Sequence, residues 1–204
     1  MVINSFTTLK SAVADWLDRD DMGDAIETMI GLAEARIYRE LRIRPMETSL
    51  SVAISSGVAA VPSDYLELRY ANVSGSPVQR LEPKSPEWIT TNYPLRSSNS
   101  KPRFIARDVD SFIFGPYPDS TYTILGSYYA KLTALSTDNE TNWFTSNAPD
   151  LLLYGTLVHS APYVGHDGRL SMWEGAYQQV KQRVIEQNDA ERYPAGMTLA
   201  ATAQ

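Results

Sequence analysis

The amphipathic segment at residues 15–46 constrains the fold of this chain most. Its apolar residues recur at three- and four-residue steps, which is the period of one face of an α-helix. This stripe consists of Ile26, Met29, Ile30, Ala33, Ile37 and Leu41. The other faces are expected to carry Glu27, Glu34, Arg36, Arg39, Glu40, Arg42 and Arg44. Because such a helix cannot bury its stripe alone, we expect it to pack against other helices and to meet partners with its charged side.

A shorter helix is predicted just before this segment, at residues 8–17. Thr7 is its expected N-cap, because a threonine hydroxyl can accept a hydrogen bond from a free backbone N–H. Its apolar face consists of Leu9, Val13, Trp16 and Leu17. A polar turn follows, and Asp21 or Asp24 is expected to cap the second helix, where a negative charge suits the helix dipole. Pro45 is expected to end that helix, because the residue before a proline avoids helical geometry.

From residue 46 to about residue 135 the hydrophobic pattern changes to a period of two, which is typical of half-buried strands. Strands are predicted at residues 46–54, 58–61, 65–73, 78–81, 103–107, 111–114 and 121–131. Ser85 and Pro86 predict a short helical turn within this region, since proline is favoured early in a helix. Short strands with frequent turn signals predict a small antiparallel sandwich or barrel.

The helical period returns after Asn147, which forms a variant capping box with Asp150 and is followed by Pro149 in the first turn. The next helix has a broad apolar face, so we expect it to be central and largely buried. Its apolar residues are Leu151, Leu153, Tyr154, Leu157, Val158, Ala161 and Val164. Pro162 is expected to kink or end it. A last amphipathic helix is predicted at about residues 169–192, where Trp173 is on the apolar stripe.

These patterns together predict an α+β fold. A helical bundle forms from residues 1–45 and 140–192, and an antiparallel, sandwich- or barrel-like β-domain is inserted at residues 46–139. The final stretch, residues 193–204, has no charged residue and no clear periodicity. We expect this stretch to be an extended tail that does not fold by itself.

Composition excludes several classes of protein. The 204 residues include no cysteine, so disulfides and thiolate metal sites are excluded. No secretory signal sequence is expected at the start, and the longest mostly apolar run, residues 151–165, is too short to cross a bilayer. We therefore expect a soluble protein. The net charge of −6 and the pI of about 4.9 disfavour tight non-specific binding to nucleic acid.

The sequence offers little that points to catalysis or to a cofactor. His159 and His166 are seven residues apart and have no thiol near them, so a metal site is a weak alternative to packed or exposed histidines. Ser160 and Ser171 lie near these histidines, but neither is in a G-x-S-x-G motif. Phosphate-binding glycine motifs are also missing. The aspartate-rich turn at residues 18–24 lacks the spacing of an EF-hand loop. We predict no enzyme, no cofactor and no metal.

The arginines of the second helix leave three alternatives open: contact with a protein partner, a solvated face, or contact with nucleic acid. Glu40 is four residues from both Arg36 and Arg44, so pairing within the helix accounts for part of this charge. Tryptophan suggests a further alternative, because Trp88 and Trp143 at the edges of the β-region could stack on sugars. Carbohydrate binding by a module of a phage or bacterial surface protein is therefore the second functional hypothesis.

Three segments resemble the head-to-tail adaptor proteins of tailed bacteriophages. They are WLDRDDM followed by IETMIGLAEARIYRELRIRPM, the strand VPSDYLELRYANV, and NWFTSNAPDLLLYGTLVHSAPYVGHD leading into the last helix. The resemblance covers nearly the whole chain and keeps the order of the parts. The plan is similar to that of the podovirus tubular tail protein that docks on the portal.

The resemblance implies a structural virion protein of the neck or tail region, assembled in the host cytoplasm. It would form a ring, of twelve copies, that docks under the portal protein, extends the DNA channel and carries the tail or nozzle protein. DNA would pass through without specific binding, and no membrane is involved. The residues expected to contact the portal or a neighbouring subunit are Arg36, Arg39, Glu40, Arg42, Arg44, Tyr193, Pro194, Met197 and Leu199.

Overall fold

A computed structural model describes residues 2–95, 97, 99–165 and 168–192. In chain order its elements are α1 (Phe6–Leu17), α2 (Gly23–Glu40), β1 (Glu47–Ala53), β2 (Val58–Ala60), β3 (Tyr65–Val73), β4 (Gln79–Pro83), α3 (Pro86–Asn92), β5 (Phe104–Asp108), β6 (Ser111–Gly115), β7 (Thr123–Ala130), α4 (Trp143–Asn147), α5 (Pro149–Val158), α6 (Ala161–Val164) and α7 (Leu170–Arg192). The predicted α+β class is confirmed, with helices in both end regions of the chain and a barrel-like sheet between them.

Two compact units make up the described chain. A helical unit comprises the described parts of Met1–Pro45 and Leu132–Gln204, and a β-unit comprises Met46–Lys131. Residues 132–139 therefore cluster with the helices.

α1 begins at Phe6, two residues earlier than predicted, because Ser5 rather than Thr7 is its N-cap. The Ser5 hydroxyl accepts a hydrogen bond from the backbone N–H of Thr8, and the Thr8 hydroxyl accepts one from the backbone N–H of Ser5. This reciprocal capping box satisfies two donors that the first turn leaves free. Thr7 instead donates its backbone N–H and its hydroxyl to the carboxylate of Glu140.

The predicted ends of α2 are wrong at both termini. Met22 is at the N-cap position and neither Asp21 nor Asp24 caps the helix, although Asp24 is in the first turn where its charge suits the dipole. At the other end the backbone becomes extended at Leu41, before Pro45 is reached. The guanidinium of Arg42 donates to the carbonyls of Tyr38 and Leu41, which the end of the helix leaves free.

The consequence is that two of the predicted partner-binding residues lie beyond α2. Arg42 belongs to the irregular segment after the helix, and Arg44 begins a 3₁₀ turn, Arg44–Met46. The predicted pairing of Glu40 with Arg44 across one helical turn is therefore wrong, whereas the pairing of Glu40 with Arg36 is confirmed.

Burial confirms the apolar stripe of α2, because every residue predicted for it is buried. Two expectations about neighbouring side chains are wrong. Glu34, expected on a charged face, is only 4 % exposed and lies among the core residues of the helical unit. Trp16, expected on the buried apolar face of α1, is 42 % exposed and makes an edge-to-face contact with Tyr154.

α5 is the central helix of its unit, as predicted. It packs against α1, α2, α4 and α7, and it buries side chains around most of its circumference. The predicted capping box at Asn147 is wrong, because Asn147 is the last residue of α4. Asn142 caps α4 in its place and forms a capping box with Thr145. Pro149 is in the first turn of α5 as predicted, and Pro162 is in the first turn of the separate short helix α6.

The β-unit is a seven-stranded sheet with the order β1-β7-β3-β4-β5-β6-β2. Each predicted strand and the short helix α3 are present. All neighbouring pairs are antiparallel except β4 and β5, which are parallel. This difference from the predicted antiparallel region arises because α3 and a long loop connect β4 to β5, as a parallel connection requires. The core comprises Leu50, Ile54, Ala59, Ala71, Val73, Leu81, Ile105, Phe112, Phe114, Ile124, Tyr128 and Ala130.

One glycine of this sheet is required by the close approach of two strands. The pairing of β3 with β7 shifts in register between Leu68 and Tyr70, which is typical of a β-bulge. Opposite this shift, a Cβ at Gly126 would lie 2.2 Å from the carbonyl oxygen of Tyr70. Position 126 therefore excludes any side chain while this register is kept.

Candidate functional site

Arg36 lies at the centre of a charged cluster that joins α2 to α7. Its Nη1 and Nη2 atoms donate to the two carboxylate oxygens of Glu174 at 2.8 and 2.6 Å. Its Nε atom donates to Glu40 at 2.9 Å, and its guanidinium lies 4.2 Å from the centre of the Tyr177 ring. With Lys181, these residues form what we call the Arg36 cluster. The planar guanidinium fork matches a carboxylate in two places at once, so the geometry of the pair is tightly defined.

Glu40 makes the second bridge between the two helices. Its Oε2 atom accepts a hydrogen bond from the Tyr177 hydroxyl at 3.1 Å and another from the Lys181 ammonium at 2.8 Å. Only 14 % of the Arg36 side chain is exposed, so water screens these contacts less than it screens surface pairs. The Arg36 cluster therefore fixes α2 against α7.

The pKa values of the cluster follow from these contacts. Hydrogen bonds from Arg36 lower the pKa of Glu174 to about 2, and hydrogen bonds to Glu174 raise the pKa of Arg36. Burial opposes ionisation of Glu40, but hydrogen bonds from Lys181 and Arg36 outweigh it, so the pKa of Glu40 is lowered. The three groups are therefore ionised at neutral pH and hold each other in place.

Glu34 is a buried carboxyl group near the Arg36 cluster in sequence but in a very different environment. Its two oxygens lie 3.3 Å from the backbone nitrogen of Leu135, and Oε1 accepts a hydrogen bond from the Asn142 amide at 3.1 Å. Burial raises its pKa to about 7, and these hydrogen bonds only partly oppose that effect. Glu34 thus holds the segment that precedes α4 against α2.

Arg39 and Arg44 are the exposed arginines of this region. Within the described part of the chain neither side chain forms an ion pair or a hydrogen bond. Arg42 is half-buried and is used to cap α2. Of the arginines predicted to meet a partner, Arg39 and Arg44 are therefore the ones whose guanidinium groups are available at the surface.

The remaining predicted contact residues are in the C-terminal tail. Tyr193, Pro194, Met197 and Leu199 lie outside the described residues. As partner contacts they stay a prediction, as do the arginines and Glu40.

Among the described residues, neither His159 nor the aspartate-rich turn belongs to a group of side chains that could hold a metal ion. His159 is half-buried, and burial, together with Arg36 and Arg39, lowers its pKa. His166 lies outside the described residues. Over the described ranges, no group of histidine, aspartate and glutamate side chains could hold a metal ion. In the turn before α2, Arg19 pairs with Asp21.

The two tryptophans considered for sugar binding contact their own chain. Trp88 packs against Phe104 with ring centres 4.8 Å apart, and the ammonium of Lys84 lies 5.3 Å from the Trp88 ring. Trp143 makes an edge-to-face contact with Phe144 at 5.3 Å. Both rings therefore have intramolecular packing roles.

Sequence reasoning missed the partners of the Arg36 cluster and the burial of Glu34. Glu174 and Lys181 are more than 130 residues from α2 in the chain, so no local pattern could link them to it. The sequence does indicate that Glu34 is buried, because it is four residues after Ile30 and three before Ile37, both on the apolar stripe. A charged residue at such a position is expected to be buried and to hydrogen-bond a neighbouring segment.

Within the described residues, the charged side chains of the helical unit pair between helices, hold buried segments or are exposed at the surface. Among the described helices, none has the length and apolarity needed to span a bilayer.

A family model described as SU10 adaptor protein matches residues 4–200. The chain therefore belongs to the SU10 adaptor protein family, and it is a structural adaptor protein of tailed bacteriophage virions. The predicted resemblance to phage head-to-tail adaptors is thereby confirmed. A search of curated proteins found no match.

Proposed function

We propose that this protein forms a ring of twelve copies beneath the portal vertex, extends the DNA channel and carries the tail or nozzle protein. The observation that supports this role is the family match, which extends over residues 4–200 and so includes both the helical unit and the β-unit. Assembly takes place in the host cytoplasm, and the finished ring belongs to the neck of the virion. The role needs no catalytic step and no cofactor.

The acidic balance of the chain suits a channel for DNA. Twelve copies at −6 each carry a formal charge of 12 × (−6) = −72. Negative charge that faces the lumen repels the phosphate backbone and gives no counterion release on binding, so DNA slides without being held.

Portal and neighbour contacts are proposed for the residues that the helical unit leaves available. Arg39 and Arg44 present guanidinium groups that no other described residue pairs with, and arginine is enriched in protein interfaces. The tail at residues 193–204 has no charged residue and supplies a second contact, along the portal. Its contact residues are Tyr193, Pro194, Met197 and Leu199. The side chains of Arg36, Glu40 and Arg42 make contacts within the helical unit. They therefore hold the segment that carries Arg39 and Arg44 in place.

The test is a pull-down on purified portal rings from the same phage. We expect the full-length protein to be retained and a variant that lacks residues 193–204 to lose most of its binding. Thermal unfolding should show that both proteins are folded. Equal retention of the truncated protein would contradict tail docking, and no retention of the full-length protein would contradict the adaptor role beneath the portal.

A further inference from the structure

α2 has exposed charges of opposite sign at its two ends, and most of them have no ion-pair partner among the described residues. At its N-terminal end lies an acidic turn, which we define as Asp18, Asp20 and Asp21 before the helix and Asp24 in its first turn. Every one of these residues is exposed, and within the described residues only Asp21 is in an ion pair, with Arg19. At its C-terminal end lies a basic end, which we define as Arg39 in the last turn and Arg44 just beyond the helix.

These two charged ends cannot neutralise each other within one molecule. An 18-residue helix is about 27 Å long, at about 1.5 Å per residue. The acidic turn and the basic end are both anchored to this helix, so their separation is fixed. Charges that far apart are separated by more than two Debye lengths at 0.1 M salt, where one is about 10 Å. Any pairing between them therefore has to join two molecules.

The outward face of α2 between the two ends has the composition of an interface. Leu32 is 46 % exposed and is seven residues before Arg39, which places both on the same face of the helix. The neighbouring Gly31 is also exposed and has open space where a side chain would be. A small apolar centre between charged edges is the usual anatomy of a protein–protein contact.

We propose that the acidic turn of one copy docks on the basic end of a second copy, with Leu32 near the centre of the contact. The two patches differ, so this contact is heterologous, and repeated head to tail it closes a ring if the rotation per copy allows. This inference rests on the proposed ring and identifies the surfaces by which neighbouring copies recognise each other. The partner is a second copy of this chain.

The natural absence of cysteine makes a site-specific test possible without background. One full-length protein carries Asp20→Cys and another carries Arg44→Cys. Under oxidised glutathione, which accepts the two electrons as two thiols form one disulfide, we expect a cross-linked dimer only when the two proteins are mixed. A single chain with both substitutions should give a ladder of dimers, trimers and higher species. The matched control pairs Asp20→Cys with Glu87→Cys, an exposed position in the β-unit, and should not cross-link.

Charge reversal then tests whether electrostatic complementarity drives the contact. Adding Arg39→Glu to the Arg44→Cys protein should lower the cross-linking yield roughly tenfold, since it opposes like charges across the contact. Adding Asp24→Arg to the Asp20→Cys partner should restore the yield. Salt at 0.5 M should lower the cross-linking yield of the Asp20→Cys and Arg44→Cys proteins without charge reversal, because it shortens the screening length. Circular dichroism melts establish that each variant is folded.

The outcomes separate this inference from the proposed function. No cross-link between the mixed proteins, or a yield that charge reversal leaves unchanged, overturns the proposed contact. A doubly substituted chain that stops at a dimer overturns the head-to-tail arrangement in favour of a two-fold one. Retention on portal rings is measured independently, so a failed cross-link with retained portal binding rejects this contact alone.

Discussion

Arg36 and Arg39 are one helical turn apart on α2, yet their environments are opposite. Arg36 is enclosed by Glu174, Glu40 and the Tyr177 ring, whereas Arg39 is exposed and unpaired within the described chain. The position of a residue relative to α7 therefore decides whether its charge is paired within the helical unit or is available to a partner. Glu34, two residues before Arg36, shows a third outcome, because it is buried without a cation.

The largest expected effect concerns Glu34. Its folded-state pKa is raised from 4.5 to about 7, so the folded state binds a proton more tightly than the unfolded state does. The resulting stability is fully present below pH 4.5 and is lost as the pH rises through about 7. Glu34→Gln removes this titration, so at pH 8 the variant should have a free energy of unfolding up to about 3 kcal/mol above that of the wild type. Urea unfolding from pH 4.5 to 8 measures both profiles.

Glu27→Gln is the matched control for that experiment. Glu27 is on the same helix and is exposed, with Lys10 as its ion-pair partner. Its profile should follow that of the wild type. If the Glu34→Gln variant lost stability above pH 5 as the wild type does, the ionisation of Glu34 would not be the cause of that loss.

The next effect separates Arg36 from Arg39. Arg36→Ala removes the two-point contact with Glu174 and leaves Glu40 with fewer donors, so it should lower the free energy of unfolding by about 2 kcal/mol. Arg39→Ala removes an exposed side chain and should change it by less than about 0.5 kcal/mol. Urea titrations of both variants at pH 7 give the comparison directly. Equal effects of the two substitutions would break the distinction between scaffold and surface arginines.

A smaller effect is expected on the acid side. The pKa of Glu174 is lowered from 4.5 to about 2, so its stabilising contribution is present above pH 4.5 and is lost as the pH falls through about 2. Its side chain is 39 % exposed, so solvent screening keeps the contribution of the pair to about 1 kcal/mol or less. Glu174→Gln should therefore flatten the loss of stability between pH 4.5 and 2, measured by acid unfolding. If the variant lost stability between pH 4.5 and 2 as the wild type does, the pairing of Glu174 with Arg36 would be contradicted.

The smallest effect on stability is expected for the basic end. Arg39→Ala combined with Arg44→Ala should keep the unfolding midpoint within the range of ordinary surface substitutions, about 0.5 kcal/mol. The same double variant should associate less with other copies of the chain, because the proposed contact between copies uses both guanidinium groups. Sedimentation velocity of the full-length proteins measures that loss. A clear drop in stability with unchanged self-association would reverse the roles assigned to these residues.

Much of the fold was predictable because its patterns are local. The stripe of α2 reports which side of the helix is buried, and it is confirmed. The strand β3 is present, but the register shifts in its pairing with β7 interrupt the alternation, and Tyr70 is 43 % exposed. Helix ends were less predictable. Asn142 and Asn147 are both good capping residues, and only the packing of α4 decides that Asn142 is used. Pro45 predicts that α2 continues to residue 44, but the helix already ends at Glu40.

The candidate site was predictable only in part, since its decisive contacts are long-range. The sequence indicated that the arginines of α2 form one charged strip. In the structure these residues differ, because Glu174 and Lys181 of α7 bind Arg36 and Glu40 and leave Arg39 exposed. Arg42 and Arg44 leave the helix altogether. Which arginine remains free therefore depends on tertiary packing, which no spacing rule contains.

The most direct test of the adaptor account is a cryo-electron microscopy reconstruction of portal rings incubated with the full-length protein. The account predicts a ring of density beneath the portal, with the helical unit of each copy in contact with another chain through Arg39 and Arg44, and with Arg36 still paired to Glu174 inside each copy. Portal rings without added density, or a docked ring in which Arg39 and Arg44 face solvent while Arg36 contacts the neighbour, would contradict it.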